Sequence, residues 1–275
     1  MDRFHTELGK SQHIVCLTGA GISAESGIPT FRGAGGFWGK YSATELATLE
    51  AFQGNPSLVW QFYAYRRETV LKAQPNPGHL ALSGAERCLE KSGKKLTIVT
   101  QNIDGLHQRA GSQRVIEIHG SLFKTRCMVC EKVEQNMDVS ICPALAGARP
   151  PDPDEENRIE IPEKDLPRCK HCSGLLRPHV VWFGENLDAA VLDDVYRELD
   201  ACDLCLVIGT SSLVYPAAMF APHVAARGTF VAEFNIELPV GFGNSDTRFS
   251  VQGPSGVSLP VALAPLLTET KEPDT

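Results

Sequence analysis

Four of the cysteines fall in two pairs, Cys127-x-x-Cys130 and Cys169-x-x-Cys172, a spacing that lets each pair turn two thiolates toward one ion. Four thiolates close a tetrahedral zinc shell and leave no position for water, so the metal they imply is structural. His171 stands between the last two cysteines and reads as an exposed bystander. Such a knuckle can also bind nucleic acid or protein, but the acidic loop it carries argues against nucleic acid. A second constellation is "LTGAGISAESGIPTFRG", residues 17–33, where Gly19, Gly21 and Ala24 match G-x-G-x-x-G/A. Glycines there let the backbone approach a pyrophosphate at a helix N-terminus; the bland alternative is a tight structural turn. Polar groups follow in "TQNIDGLHQRAG" (Gln101, Asn102, Asp104) and "EIHGS" (His119). An imidazole near such a cluster has the chemistry of a general base on a ribose hydroxyl, although by residue type alone His119 is equally a structural histidine.

Strands must position these loops. Apolar runs recur at "HIVCLTG", "KKLTIVTQ", "RVIEIHG", "LRPHVVWFG", "CDLCLVIGTS" and "TFVAEFN". Most lack strict alternation, which is the pattern of parallel strands buried on both faces. Helical patterns lie between them in "NPSLVWQFYAYRRETVLKA", "NPGHLALSGAERCLEKSG" with its stop at Gly93, and "DAAVLDDVYRELDAC". At the glycine loop the expectation is a strand over Ile14 to Leu17 and a helix starting at Ser23 to Ser26. The class is α/β, with polar loops at the strand C-termini where open sheets bind ligands. Two insertions interrupt it, one helical from about Tyr41 to Lys91 and one from about Lys124 to Arg177 that holds both cysteine pairs. The middle of the second, "PALAGARPPDPDEENRIEIPEKDLP", reads as a mobile or irregular loop. A dehydrogenase would place an acid about 20 residues past the glycine loop, at the end of a second strand. The stretch there, "GGFWGKYSATELATL", is no strand, which weighs against hydride transfer.

The chain has 275 residues, 43% hydrophobic and 21% charged, with a net charge of -7. No basic run exceeds Lys94-Lys95, which disfavours a nucleic-acid surface. No stretch reaches the roughly 20 apolar residues of a membrane helix, and the N-terminus lacks the pattern of a secretory or organelle leader, so the chain reads as soluble. Nine cysteines are odd for a disulfide framework and suit a reducing compartment. Outside the two pairs, Cys16, Cys88, Cys142, Cys202 and Cys205 read as small core or surface residues.

Taken in order, "GAGIS", "GIPTFRG", "TQNID", "HGS", the paired knuckles, "RPHVVWFGE", "GTSSLVYP" and "EFN" resemble the sirtuin family of NAD-dependent protein deacylases, from residue 13 to about 255. The resemblance implies a Rossmann-like large domain (1–40, 92–123 and 178–275). It implies a small domain made of the helical insertion (41–91) and the zinc insertion (124–177), with NAD and acyl-lysine meeting between the two domains. Carried over residue by residue, it puts Gly19, Ala20, Gly21 and Glu25 in the pyrophosphate loop and Phe31 and Arg32 in a flexible cover over the nicotinamide. Asn102 and Asp104 would line the nicotinamide pocket, with Gln101 on the ribose. Gly209, Thr210 and Ser211 would meet phosphate and ribose, Asn235 the adenosine ribose, Ser255 the adenine end, and Glu237 would also bind the cofactor. Asn235 would then replace the missing dehydrogenase acid.

The implied reaction begins with attack of the acyl oxygen on C1′ of the nicotinamide ribose as nicotinamide leaves. His119, assisted by Asn102, then acts as general base on a ribose hydroxyl that attacks the imidate, releasing lysine and O-acyl-ADP-ribose. NAD is consumed as a co-substrate. The substrate peptide would add as an extended strand between Val181, Phe183, Gly184 and Glu185 on one side and Leu213, Val214 and Tyr215 on the other.

Tyr63 and Arg66 in "FYAYRRE" are three apart and share a helix face, where a phenol and a guanidinium suit a carboxylate. Without the resemblance a solvated face is the plainer reading, and Tyr65 and Arg67 show how common such neighbours are. With it, Tyr63, Arg66 and the small Ala43 match the sirtuin five branch, which removes succinyl, malonyl and glutaryl groups and handles acetyl poorly. Two departures stand out: a short last knuckle where a longer cysteine spacing can occur, and Ser255 where a cysteine can stand. Rival readings are a mainly deacetylating sirtuin, a zinc-containing NAD oxidoreductase, and a non-catalytic reader of acyl-lysine. The branch is usually mitochondrial, with cytosol or nucleus as further locations, an expectation that rests on resemblance alone.

Overall fold

The computed structural model describes residues 1–30, 36–150, 160–211, 213–237 and 246–267. From the N-terminus, α1 (Asp2–Lys10) leads to β1 (His13–Thr18), α2 (Ala20–Ala24), β2 (Phe37–Trp38) and β3 (Tyr41–Ser42). Four helices follow, α3 (Ala43–Leu46), α4 (Leu49–Gly54), α5 (Pro56–Lys72) and α6 (Pro77–Lys91). Next come β4 (Lys95–Thr100), α7 (Leu106–Arg109), β5 (Val115–Glu117), β6 (Gly120–Cys127), β7 (Val133–Gln135) and β8 (Leu176–Val180). The last described elements are α8 (Ala189–Ala201), β9 (Leu204–Ile208), α9 (Phe220–Ala226), β10 (Phe230–Asn235), β11 (Arg248–Gln252), α10 (Ser255–Ala262) and α11 (Ala264–Leu267).

Six strands form one parallel sheet in the order β11-β10-β9-β1-β4-β5. Chain order reverses at β1, the arrangement of a Rossmann sheet, which opens a crevice outside the C-terminal ends of β1 and β9, the place where such sheets bind ligands. Within β1, Ile14 and Cys16 enter one core with Phe4, Leu82, Leu89 and Leu259, while Val15 and Leu17 enter another with Val195, Leu199, Phe220 and Val224. Helices on both faces explain the unbroken apolar runs. The run "LRPHVVWFG" behaves differently: β8 pairs antiparallel with β6, in a separate sheet of order β7-β6-β8. At the glycine loop the helix begins at Ala20, earlier than the expected Ser23.

A third core gathers Phe52, Trp60, Phe62 and Tyr63 with Leu122, Phe123, Leu145, Val180 and Trp182. Asn55 starts α5 by accepting the Leu58 N–H at 2.8 Å, with Pro56 at the first helical position. Asn76, Pro77 and His79 start α6 as a capping box, and Gly93 at φ +71° lies just beyond its end. The stretch 41–91 expected as one helical insertion is divided by its packing. Helices α3 to α5 belong to the third core, whereas α6 lays Ala81, Leu82, Ala85 and Leu89 on the parallel sheet. Arg67, 1% exposed, ties α5 to the zinc-bearing segment by donating to the carbonyls of Leu122, Asn136 and Asp138 and to Asn136 Oδ1. No helix among the described residues is long and apolar enough to cross a membrane.

Candidate active site

The loops after β1 and β9 meet backbone to backbone over the crevice. Gly19 N donates to Ile208 O at 3.0 Å and Gly21 N to Gly209 O at 2.8 Å. A Cβ on Gly21 would stand 2.7 Å from the Gly209 oxygen, and one on Gly209, at φ +56°, would stand 2.5 Å from the Ile22 nitrogen. The glycines therefore weld two loops together. Thr210 is gripped from both flanks: Gln101 Nε2 donates to its hydroxyl at 3.0 Å and Asn235 Nδ2 to its carbonyl at 2.7 Å.

Between β1 and β4 lies a buried polar network. Ser23 Oγ donates to Asp104 Oδ2 at 2.7 Å and accepts from Asn102 Nδ2 at 3.1 Å, and Asn102 Nδ2 also donates to Gly19 O at 3.0 Å. Asp104 Oδ1 accepts the Leu106 N–H at 2.9 Å. Burial raises the Asp104 pKa against these hydrogen bonds and the charges of Arg66 and Arg109. Burial pushes His79, in ring contact with His107 at 4.9 Å, down to about 4. His107 is held well below the usual imidazole value by burial and by His79, and its Nε2 lies 3.0 Å from Thr18 Oγ1.

His119 follows β5, half-buried, with Nδ1 2.9 Å from Gln101 O. A carbonyl only accepts, so Nδ1 carries the proton and Nε2 keeps its lone pair, the tautomer a general base needs. Burial lowers the His119 pKa and the Gln101 carbonyl opposes that shift, so the ring is neutral at neutral pH. Gly120, at φ +79° where a Cβ would collide with His179 O at 2.2 Å, turns the chain straight into β6. Val181 N donates to His119 O at 2.9 Å and anchors this histidine to the end of β8.

Arg66, 9% exposed, lines a cavity of about 150 Å³ with Ala43, Trp38, Phe62 and Tyr65. Burial lowers its pKa, and the neighbouring Tyr63 and Asp104 oppose that shift. Tyr63 is outside that cavity's wall; its ring packs on Phe62 and Trp182, and its oxygen accepts from Trp182 Nε1 at 2.9 Å. Burial raises the Tyr63 pKa to about 12. Phe183, Leu213 and Tyr215 are large exposed apolar side chains at 47%, 61% and 72%, a surface suited to an incoming peptide.

The four paired cysteines converge with all Sγ atoms within 4.8 Å of one another. Zinc–sulfur bonds of about 2.3 Å span such a cluster, so the donor set fits a tetrahedral zinc ion. Backbone N–H groups of Val129 and Cys130 point at Cys127 Sγ and that of His171 at Cys169 Sγ, as knuckle turns around thiolates require. Glu131 and Ser173, each directly after the second cysteine of its pair, take positive φ. His171 is outside the cluster and pairs with Glu134 at 2.7 Å.

A Sir2 family domain matches residues 19–216. The chain belongs to the Sir2 family. "NAD-dependent protein deacylase sirtuin-5, mitochondrial" of the dog, Canis lupus familiaris, is 58% identical over 96% of this chain and 85% of its own length. A solved Sir2 homologue–NAD complex superposes with a TM-score of 0.81 at 38% identity, covering 98% of this chain and 94% of that one. A Sir2 protein solved with a p53 peptide and NAD+ has a TM-score of 0.74 at 31% identity, covering 98% of each chain.

Within this Sir2 chain, several expected residues have other partners. Glu25 accepts the Gly256 N–H at 2.7 Å, so its carboxylate caps the first turn of α10, where Ser255 is buried. Glu185 is forked by Arg177 at 2.6 and 2.8 Å and accepts the Trp182 N–H at 2.9 Å. Phe183 N donates to Ala47 O at 2.9 Å, while Gly184 turns the loop at φ +87°. Ser211 and Glu237 are exposed, and Val181 and Val214 are half-buried. Phe31 and Arg32 lie outside the described residues. Sequence reasoning missed Ser23 as the hub joining Asn102 to Asp104, and missed Trp182, Arg67, His79 and His107. Only Ser23 and His79 carried a local signal, a hydroxyl inside the glycine motif and the third residue of the Asn76 capping box.

Proposed function

We propose that this chain uses NAD to remove succinyl, malonyl and glutaryl groups from protein lysines and handles acetyl-lysine poorly. NAD-dependent protein deacylation is the activity named for its relative. The acidic-acyl preference rests on one observation, a guanidinium 9% exposed in the wall of a mostly apolar cavity beside a phenol kept neutral by burial. An acceptor-only carboxylate suits both groups, whereas an acetyl methyl offers the Arg66 guanidinium no acceptor.

The crevice loops suit NAD because a Cβ would fill the space between Gly21 and Gly209. When bound, NAD supplies an electrophilic ribose carbon with nicotinamide as leaving group. Ala20, Gly21, Gly209, Thr210 and Ser211 bind its phosphates and ribose, Asn235 and Glu237 the adenosine end, and Asn102 and Asp104 orient the nicotinamide. His119 Nε2 takes a proton from a ribose hydroxyl, and the Gln101 carbonyl keeps its ring in the reactive tautomer. The four cysteines hold zinc as a closed structural shell. The peptide enters as an extended strand between Phe183–Gly184–Glu185 and Leu213–Tyr215, and the compartment is the mitochondrion.

The test is nicotinamide release with two matched peptides, one succinyl-lysine and one acetyl-lysine. Succinyl turnover should be much the faster, and Arg66→Met should lower it on the order of 100-fold, as for losing one partner of a buried charged pair, while sparing acetyl turnover. Faster acetyl turnover, or equal losses on both peptides, refutes the carboxylate clamp. NADH formation would mark an oxidoreductase, and peptide binding with no nicotinamide a reader.

A further inference from the structure

We infer that Trp182 is a positioning residue for acyl specificity: its indole N–H turns the Tyr63 hydroxyl into a committed donor toward the acyl carboxylate. The inference rests on the acidic-acyl reading above. An indole nitrogen only donates, so the 2.9 Å contact from Trp182 Nε1 makes the phenol oxygen the acceptor. The phenol's own hydrogen must then point elsewhere, and among the described residues it has no acceptor, although Tyr63 is only 2% exposed. Were the neighbour a carbonyl, the hydrogen would go to it and the phenol would offer a lone pair, which repels a carboxylate. With an indole in that place, Tyr63 and Arg66 both present donors.

The indole is itself held still. The Arg177 guanidinium lies 3.6 Å from the ring centroid, and its nitrogens fork Glu185 and reach Val180 O at 3.0 Å. Glu185 Oε2 returns to the Trp182 backbone N–H at 2.9 Å, and Phe52 packs with its ring 5.2 Å away. Trp60, in the same core, shows what an ordinary structural indole does: its Nε1 donates to a backbone carbonyl, that of Leu176, at 2.8 Å. Trp182 addresses a side-chain hydroxyl whose proton is left for a ligand, and it sits between Val181 and Phe183 of the expected peptide rim.

Trp182→Phe keeps an aromatic face for Arg177 and removes the donor. Kinetics on succinyl- and acetyl-lysine peptides are compared for the native chain, Trp182→Phe, Tyr63→Phe and the double variant. Trp182→Phe should lower kcat/KM for the succinyl peptide by about five- to tenfold, mainly through KM, as expected for one directional hydrogen bond, with acetyl turnover within about twofold. In the Tyr63→Phe background the same change should alter succinyl turnover by less than about twofold, because the hydroxyl it directs is gone. Equal losses on both peptides, or full multiplicative losses in the double variant, overturn the inference. A native enzyme with no succinyl preference refutes instead the acidic-acyl reading. If Trp182→Phe does not fold, 3-benzothienylalanine at position 182, which keeps the bicyclic shape without an N–H, carries the same expectation and the same refutation.

Discussion

Replacing Gly209 by alanine tests whether the loops after β1 and β9 are welded by the lack of side chains. Two costs arise, and a second glycine separates them. Gly209 sits at φ +56° with a Cβ position 2.5 Å from the Ile22 nitrogen and 2.8 Å from the Gly21 carbonyl carbon. Gly93 sits at φ +71° with nothing within 4 Å. Left-handed backbone costs a residue with a side chain about 1–2 kcal/mol. Reduced freedom of the unfolded chain returns about 0.4–1 kcal/mol. Gly93→Ala should therefore lose about 1 kcal/mol. Gly209→Ala adds an overpacking collision of about 1–3 kcal/mol against backbone that cannot rotate away, for a total of about 2–4 kcal/mol. At about 2–4 °C per kcal/mol for a chain of this size, Tm should fall by about 5–15 °C for Gly209→Ala and by about 2–4 °C for Gly93→Ala. Thermal unfolding followed by circular dichroism reads both, and a titration with NAD should show a smaller stabilisation of Gly209→Ala than of the native chain. Two variants melting within about 2 °C of each other would refute the collision, whatever their activity.

His79, His107 and His119 are all held neutral by burial, so below the usual imidazole pKa the unfolded chain binds protons that the folded chain does not. Stability is complete above about pH 6.5 and declines as pH falls toward 4; His79 alone accounts for about 2 kcal/mol between pH 7.5 and pH 5, which melts at those two values will read. For the same reason the acid limb of deacylation should lie below pH 6.5, and a limb at or above that value would contradict a desolvated His119. One zinc per chain should be found by elemental analysis, and Cys172→Ser or a strong chelator should abolish nicotinamide release by loosening the third core. Arg67→Lys should cost about 2–3 kcal/mol in thermal unfolding, because an ammonium cannot reach three carbonyls with one planar fork.

Residue types made much of the site legible. Four cysteines in pairs have few other uses, and the structure gathers them in the knuckle; Gln101, Asn102, Asp104 and His119 meet at the strand ends, although by residue type His119 was equally a structural histidine. Five of the six apolar runs join the parallel sheet, but "LRPHVVWFG" went to another sheet because an apolar run says that a strand is buried and not beside which neighbour. Strand β11, "RFSVQ", is mostly half-buried and lacks an apolar run altogether. Helix α6 has the amphipathic pattern of a domain helix and of an insertion helix alike; only its packing on Leu96 and Ile98 tells them apart. Trp182 and Arg67 were illegible because their meaning lies in partners far along the chain, Tyr63 in one case and Asn136 in the other.

The reversal of chain order at β1 also fixes an order of manufacture. Strand β1 is among the first segments to be synthesised, yet its partner on one edge is β9, with Ile14 in register with Leu204. Both inserted segments are made in between, so all four zinc thiols, up to Cys172, leave the ribosome before that edge of β1 can be closed. The metal knuckle is thus available to a nascent chain that does not yet possess a nucleotide crevice. A chain short of zinc would meet the failure at that earlier stage, with its middle not set when the last strands arrive, and NAD bound in the proposed crevice could not rescue it because that crevice is completed last.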